Sequence, residues 1–238
     1  MKRLLITIFM FLPMLAMAQS DWERPDTKKD NIETSSSTKK KAKKEKSTKA
    51  EAVKSTPTTA KSKATLSESD KDYKYLKEGA VPEVDGNIIF TFDVDMPGLS
   101  AQQVYDKAYV ALDSIAAEPD QIKSGIALVN KKDHSIAAQY SEWMTFKKNF
   151  VNLDRSKFNY TIIANCTDGH LALTLSRMTY IYDEGRPTAL KTTAEKWIAD
   201  KVAINKKGTK LLPGSAKFRR ATINRKDAIF AKIQRLVK

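Results

Sequence analysis

The dipeptide Asp168-Gly169 constrains this chain's fold more than any other feature, because the residues on both sides of it alternate between apolar and polar. A two-residue Asp-Gly connection favours the hairpin turn whose backbone twist matches its flanking strands. It sets Thr167 opposite His170 and fixes every pair behind them. One face then carries Cys166/Leu171, Ala164/Leu173 and Ile162/Leu175. The other carries Asn165/Ala172, Ile163/Thr174, Thr161/Ser176 and Asn159/Met178. The first face is apolar and should meet helices. The second is mixed and is left for water or a ligand. A slip of one residue would exchange the two faces, so pattern and turn support each other.

Similar signals run on either side. Ile88, Phe90, Phe92 and Val94 alternate along a strand that Met96-Pro97-Gly98 ends. Ser100-Ala101-Gln102-Gln103 reads as a capping box. Val104, Ala108, Ala111 and Ile115 follow at helical spacing until Glu118-Pro119. Strands are expected over Gly125–Asn130 and Ser135–Phe146. Thr192-Thr193-Ala194-Glu195 reads as a second capping box, ahead of Trp197, Ile198 and Val202. Asn224-Arg225-Lys226-Asp227 should start a last helix with Ile229, Ile233 and Leu236 on one face. Between these helices lies a basic connection that includes Lys206-Lys207-Gly208 and Leu212-Pro213-Gly214. The expected architecture is α+β: a mostly antiparallel sheet with helices packed on one face.

The amino terminus fixes an address. Lys2 and Arg3 precede an apolar run from Leu4 to Leu15, and Ala16-Met17-Ala18 supplies a signal-peptidase pattern. Residues 1–18 thus read as a signal peptide. The run is well short of the ~20 residues that span a bilayer, so no transmembrane segment is expected after cleavage. No cysteine follows the cleavage site to carry a lipid. The expected location is the periplasm or exterior of a Gram-negative bacterium. Residues 19–72 hold no glycine and few large apolar side chains, as in Lys39-Lys40-Lys41-Ala42-Lys43-Lys44. This composition cannot offset chain entropy and reads as a disordered Lys/Ser/Thr-rich linker. Residues 73–238 are then a single folded domain. Its lone cysteine, Cys166, cannot form an internal disulfide and suits a buried apolar position.

Charge is distributed unevenly. Residues 73–200 carry 14 Lys/Arg against 17 Asp/Glu, a net −3, whereas residues 201–238 carry 12 against one, a net +11. Lys217, Arg219, Arg220, Arg225 and Lys226 are the candidate site for an anionic partner: acidic lipid, acidic glycan or an acidic protein of the cell envelope. Export argues against nucleic acid. The competing reading is that Arg219 and Arg220 form salt bridges to the acidic body, with Asp183 and Glu184 as partners. Trp143, Tyr180 and Tyr182 are candidate aromatics on the open sheet face, against the commoner fate of core packing.

Catalytic signals are weak. His134 and His170 each sit beside a turn, and no clustered ligand set marks a metal site. Asp93 and Asp95 share a strand face. There is no nucleophile elbow, phosphate loop or dinucleotide fingerprint. No catalytic residue, cofactor or metal is therefore assigned. The leading reading is a binding or structural module. A hydrolase acting on an envelope polymer is the alternative, which a concave pocket bringing His134 or His170 beside an acid would favour. A nucleic-acid binder comes third.

From Asp85 onward the chain resembles a family of exported Bacteroidetes proteins that carry a domain of unknown function with a TATA-box-binding-protein-like (TBP-like) fold. Four stretches carry the resemblance: Val84 to Val94; Ser141-Glu142-Trp143-Met144-Thr145-Phe146; Asn152-Leu153-Asp154-Arg155 with Phe158-Asn159-Tyr160; and Lys217-Phe218-Arg219-Arg220 with Arg225-Lys226-Asp227. The resemblance implies an antiparallel sheet with helices on one side. It implies no activity, and the fold name does not license DNA binding.

Overall fold

The computed structural model describes residues 22–25, 68–148 and 153–238. The expected signal peptide, and residues 26–67 of the expected linker, lie outside the described residues. The elements run α1 (Glu68–Leu76), β1 (Glu83–Val84), β2 (Asn87–Ile88), β3 (Phe90–Asp95), α2 (Ala101–Ala116), β4 (Gly125–Asn130), β5 (Ser135–Lys148), β6 (Leu153–Thr167), β7 (His170–Tyr182), β8 (Leu190–Thr193), α3 (Ala194–Trp197), α4 (Asp200–Ala203) and α5 (Pro213–Val237). Five strands form an antiparallel sheet in the order β3-β7-β6-β5-β4, and β8 continues the β3 edge alongside β7. Helices α2 and α5 pack on one face only, so this is an α+β layer pair.

The hairpin has the expected register. Thr167 pairs with His170, Cys166 with Leu171, Ala164 with Leu173 and Ile162 with Leu175. Its turn also seats a helix. The Asp168 carboxylate accepts from the Ala101 N–H at 2.7 Å, and the Gly169 N–H donates to the Leu99 carbonyl at 2.8 Å. Gly169 sits at φ +70°, which L side chains rarely adopt. The Ser100–Gln103 capping box forms as expected, and Val104, Ala108, Ala111 and Ile115 line the buried face of α2.

Register breaks beyond Thr161. Thr161 faces Ser176 but Asn159 faces Thr179, so Arg177 and Met178 together oppose Tyr160 in a β-bulge. Arg177 takes φ +55°. The extra residue inverts the alternation, which corrects two expectations. Met178 is not paired with Asn159, and it turns inward. Tyr180 is not on the open face: it is fully buried beneath the helices, with its hydroxyl 2.7 Å from that of Thr222. Tyr182 turns the same way, at the rim of the aromatic cluster around Phe218.

Helix α5 begins at Pro213, well before Asn224. Proline at a first helical position gives up only an N–H that has no intrahelical partner, so it starts the helix instead of ending the connection. On its last turns Val237 is buried and Leu236 is 42% exposed. Phe230 stacks on Phe92 with centroids 5.0 Å apart and rotates the apolar face toward Val237. The second capping box does not form. Thr193 is the N-cap without a side-chain capping bond, and Glu195 accepts from the Ile88 N–H at 3.1 Å. The expected helix there is two short ones, α3 and α4.

Two described pieces of the expected linker are ordered against the domain. Helix α1 lies on α5. Glu23 exchanges two 2.6 Å backbone hydrogen bonds with Val129, satisfying part of the outer edge of β4.

Candidate functional site

The five basic residues singled out from sequence all find partners within the chain. Arg219 is fully buried. Its Nε donates to the Tyr75 carbonyl at 2.8 Å and its Nη1 to the Ile198 carbonyl at 2.6 Å, and Nη2 lies 2.7 Å from Asp200. Arg220 holds both oxygens of Asp72. Lys217 donates to Asp154 at 2.9 Å and to the Tyr182 hydroxyl at 2.9 Å. Burial alone would lower the Lys217 pKa, but these bonds outweigh it and hold it above its usual range. Lys226 pairs with Asp227 and lies over the Phe90 ring. The partners of Arg219 and Arg220 are thus Asp200 and Asp72. Asp183 instead pairs with Arg186, and Glu184 with Lys157.

Arg225 is the centre of a part-buried network. It grips Glu142 with two bonds, Nε to Oε1 at 2.7 Å and Nη2 to Oε2 at 2.6 Å, and reaches Glu118 at 2.7 Å. Glu142 is only 3% exposed and also accepts from Gln121 and from the Tyr160 hydroxyl. Burial pushes the Glu118 carboxyl up, but bonds from Lys232 and Arg225 prevail and keep it below its usual pKa. These groups border a groove of about 590 Å³ between β5 and α5, which Trp143, Phe146 and Lys217 also line. Glu142 to Arg225, Asp154 to Lys217 and Phe146 to Phe218 join three of the stretches that carry the family resemblance. Their role in this chain is to clamp α5 onto the sheet.

The opposite face of the sheet has no helix over it among the described residues. Trp143 lies there, as expected, half-buried. The Arg155 guanidinium sits 3.7 Å above its ring, and Lys157 Nζ is 5.8 Å away. Lys157 is paired with Glu184, whereas Arg155 and the bulge residue Arg177 have no acidic partner among the described residues. Beside them a hollow of about 580 Å³ is lined by Ser124, Gln139, Asn159, Thr161 and Arg177. Arg155 and Arg177 escaped the sequence reading. Pairing Trp143 with Lys157 would have exposed Arg155, but it needs the β5–β6 register, and no turn signal marks that hairpin. The bulge that presents Arg177 has no local signature.

His170 meets two acids: Nε2 is 3.1 Å from Asp93 and Nδ1 is 3.2 Å from Asp95. These contacts, with Asp95 foremost, raise its pKa. The trio lies on the exposed rim of β3 and β7 and lines none of the cavities above. His134 packs edge-on against Tyr105. Cys166 is buried, and burial pushes its thiol up to about 12. Among the described residues no group of three or more His, Cys, Asp or Glu side chains is placed to hold a metal ion.

An antiparallel sheet with helices on one face and the other face bare makes this a two-layer α+β domain. Residues 90–181 match the model of a domain of unknown function, DUF4468, described as having a TBP-like fold. A crystallised DUF4468 family protein from Bacteroides ovatus is 36% identical, with a TM-score of 0.64, over 70% of this chain and 94% of that one. A TBP-like protein from Parabacteroides distasonis shares the fold at 17% identity and a TM-score of 0.54, over 66% of this chain and 97% of that one. No curated protein matches. The chain belongs to the DUF4468 family.

Proposed function

We propose that this protein is an exported binding module of the bacterial envelope, and that its bare sheet face is the surface that takes an anionic ligand. The observation that carries this reading is the Arg155 guanidinium, stacked on Trp143 and free of any acid among the described residues. A guanidinium preorganised on an aromatic ring keeps its donors for a carboxylate or phosphate and loses little side-chain entropy on binding. Arg177 adds a second cation, and Gln139, Asn159 and Thr161 add neutral hydrogen-bonding groups of the kind that read sugar hydroxyls. An acidic glycan is the ligand class that uses all of them. The five basic residues near the carboxy terminus are spent on internal pairs, so the reading does not draw on them. Placement in the envelope rests on the signal-peptide pattern of residues 1–18.

The test is titration with an oligogalacturonate and with its neutral oligogalactose counterpart, followed by amide and indole chemical shifts. The acidic sugar should move the Trp143 indole signal and bind at least tenfold more weakly to an Arg155→Ala/Arg177→Gly variant. Equal binding by that variant, or shifts confined to other surfaces, would overturn the proposal. A hydrolase is the second reading: His170 lies between two carboxylates, but on an exposed rim and not in the concave pocket that this reading calls for. Release of reducing ends from the acidic sugar, abolished in His170→Gln, would establish it.

A further inference from the structure

The connection between α4 and α5 presents three lysines whose charge is not consumed internally. Lys206, Lys207 and Lys210 are exposed, their ammonium groups have no partner among the described residues, and no acid occurs between residues 201 and 212. The loop is well pinned. Ile204 bridges to Leu211, the Asn205 N–H donates to the Lys210 carbonyl at 2.9 Å, and the Leu212 N–H donates to the Ala203 carbonyl at 2.8 Å. At its tip the Asn205 side chain accepts from the N–H groups of Thr209 and Lys210 at 2.8 and 3.1 Å. Gly208 takes φ +70°, which closes the turn.

Two large apolar side chains flank the lysines: Val202 is 39% exposed and Leu212 is 40% exposed. We propose that this loop docks the domain on an anionic phospholipid surface. The lysines would meet headgroups, and Val202 and Leu212 would enter the interfacial region. An acidic glycan would complement the charge equally well, but it gives the exposed apolar pair nothing to enter. The loop joins two elements of the helical layer, so docking there leaves the bare sheet face open. The inference does not depend on what that face binds.

The experiment is sedimentation of the chain from Gln19 onward with vesicles of phosphatidylglycerol and phosphatidylethanolamine, and with vesicles of phosphatidylcholine alone, at physiological salt. Only the anionic vesicles should be bound. Lys206→Gln/Lys207→Gln/Lys210→Gln should lower the partition coefficient by about a hundredfold, from roughly fivefold per lysine near an anionic surface. Val202→Ser/Leu212→Ser should also weaken binding and make the remainder more salt-sensitive. Both variants alter exposed groups, and an unchanged melting curve would show that the fold is intact. Absence of wild-type binding, or equal binding by the lysine variant, would overturn the inference. An unaltered Val202→Ser/Leu212→Ser variant displaced by oligogalacturonate would also overturn it, in favour of a glycan. Arg155→Ala/Arg177→Gly should bind vesicles normally, so failure of the sheet-face proposal would be seen separately.

Discussion

Arg225→Met should be among the most damaging substitutions on this surface. The guanidinium supplies two of the hydrogen bonds to Glu142 and all of its compensating charge within bonding distance. Glu142 would remain buried, with only Gln121 and the Tyr160 hydroxyl as donors. Removing one partner of a buried pair costs about 3–5 kcal/mol, because the other charge is left uncompensated. The Arg225 side chain keeps 23% of its surface exposed, so water can reach the site and the lower end, about 3 kcal/mol, is expected. For a domain of this size that lowers the melting temperature by roughly 6–12 °C. Urea unfolding of the wild type, Arg225→Met and Arg225→Met/Glu142→Gln gives the measurement. The double variant should regain at least half of the loss, because its amide needs no counter-charge. A loss below about 1 kcal/mol for the single variant, or a double variant no more stable than the single, would refute the argument that Arg225 compensates a buried charge.

Four further outcomes are expected. Gly169→Ala should cost about 1–2 kcal/mol in urea unfolding. The new Cβ meets its nearest neighbour, the Met96 carbonyl oxygen, at an ordinary 3.7 Å, so the whole cost is the left-handed backbone. Arg177→Gly should instead stabilise by about 0.5–1 kcal/mol in the same assay, because the ~1–2 kcal/mol of left-handed strain it relieves exceeds the ~0.5–1 kcal/mol that glycine's chain freedom costs in a strand. His170 should titrate above 6.5 by proton NMR, and Asp95→Asn should lower its midpoint. Its folded pKa is raised, so its contribution to stability is complete below pH 6.5 and fades as pH climbs through the folded value. Cys166 should resist a thiol reagent at pH 8 in the native protein and react at once in urea, consistent with a thiol pushed up to about 12.

Much of the sheet was legible because its signals are local. Asp168-Gly169 fixed the β6–β7 register as far as Thr161, and Ser100 with Gln103 fixed the start of α2. The strand expected near Gly125–Asn130 formed with those limits. Local signals failed where a competing contact came from a distant part of the chain. Glu195 accepts from the distant Ile88 N–H. Helix α1 straddles the expected end of the linker at residue 72, yet Asp72 holds Arg220, and Lys74 and Tyr75 just beyond it bond Asn224. The Trp143 site was half visible: Trp143 was a candidate open-face aromatic, but the cations beside it required the register of another strand.

Alternation, turn chemistry and capping depend on neighbours a few residues away, and through them the sequence by itself determined an antiparallel sheet with one apolar face covered by helices. The fate of charge was another matter. An excess of +11 over residues 201–238 says nothing of where the counter-charges lie. Tertiary structure brought Asp72, Glu118, Glu142, Asp154 and Asp200 to α5, which turned four of the five promising cations into internal clasps, while Lys226 pairs with its own neighbour Asp227. One bulge at Arg177 likewise decided which aromatics face the helices. Both outcomes arise from long-range pairing, whose energy depends on distances in space that residue spacing along the chain does not encode.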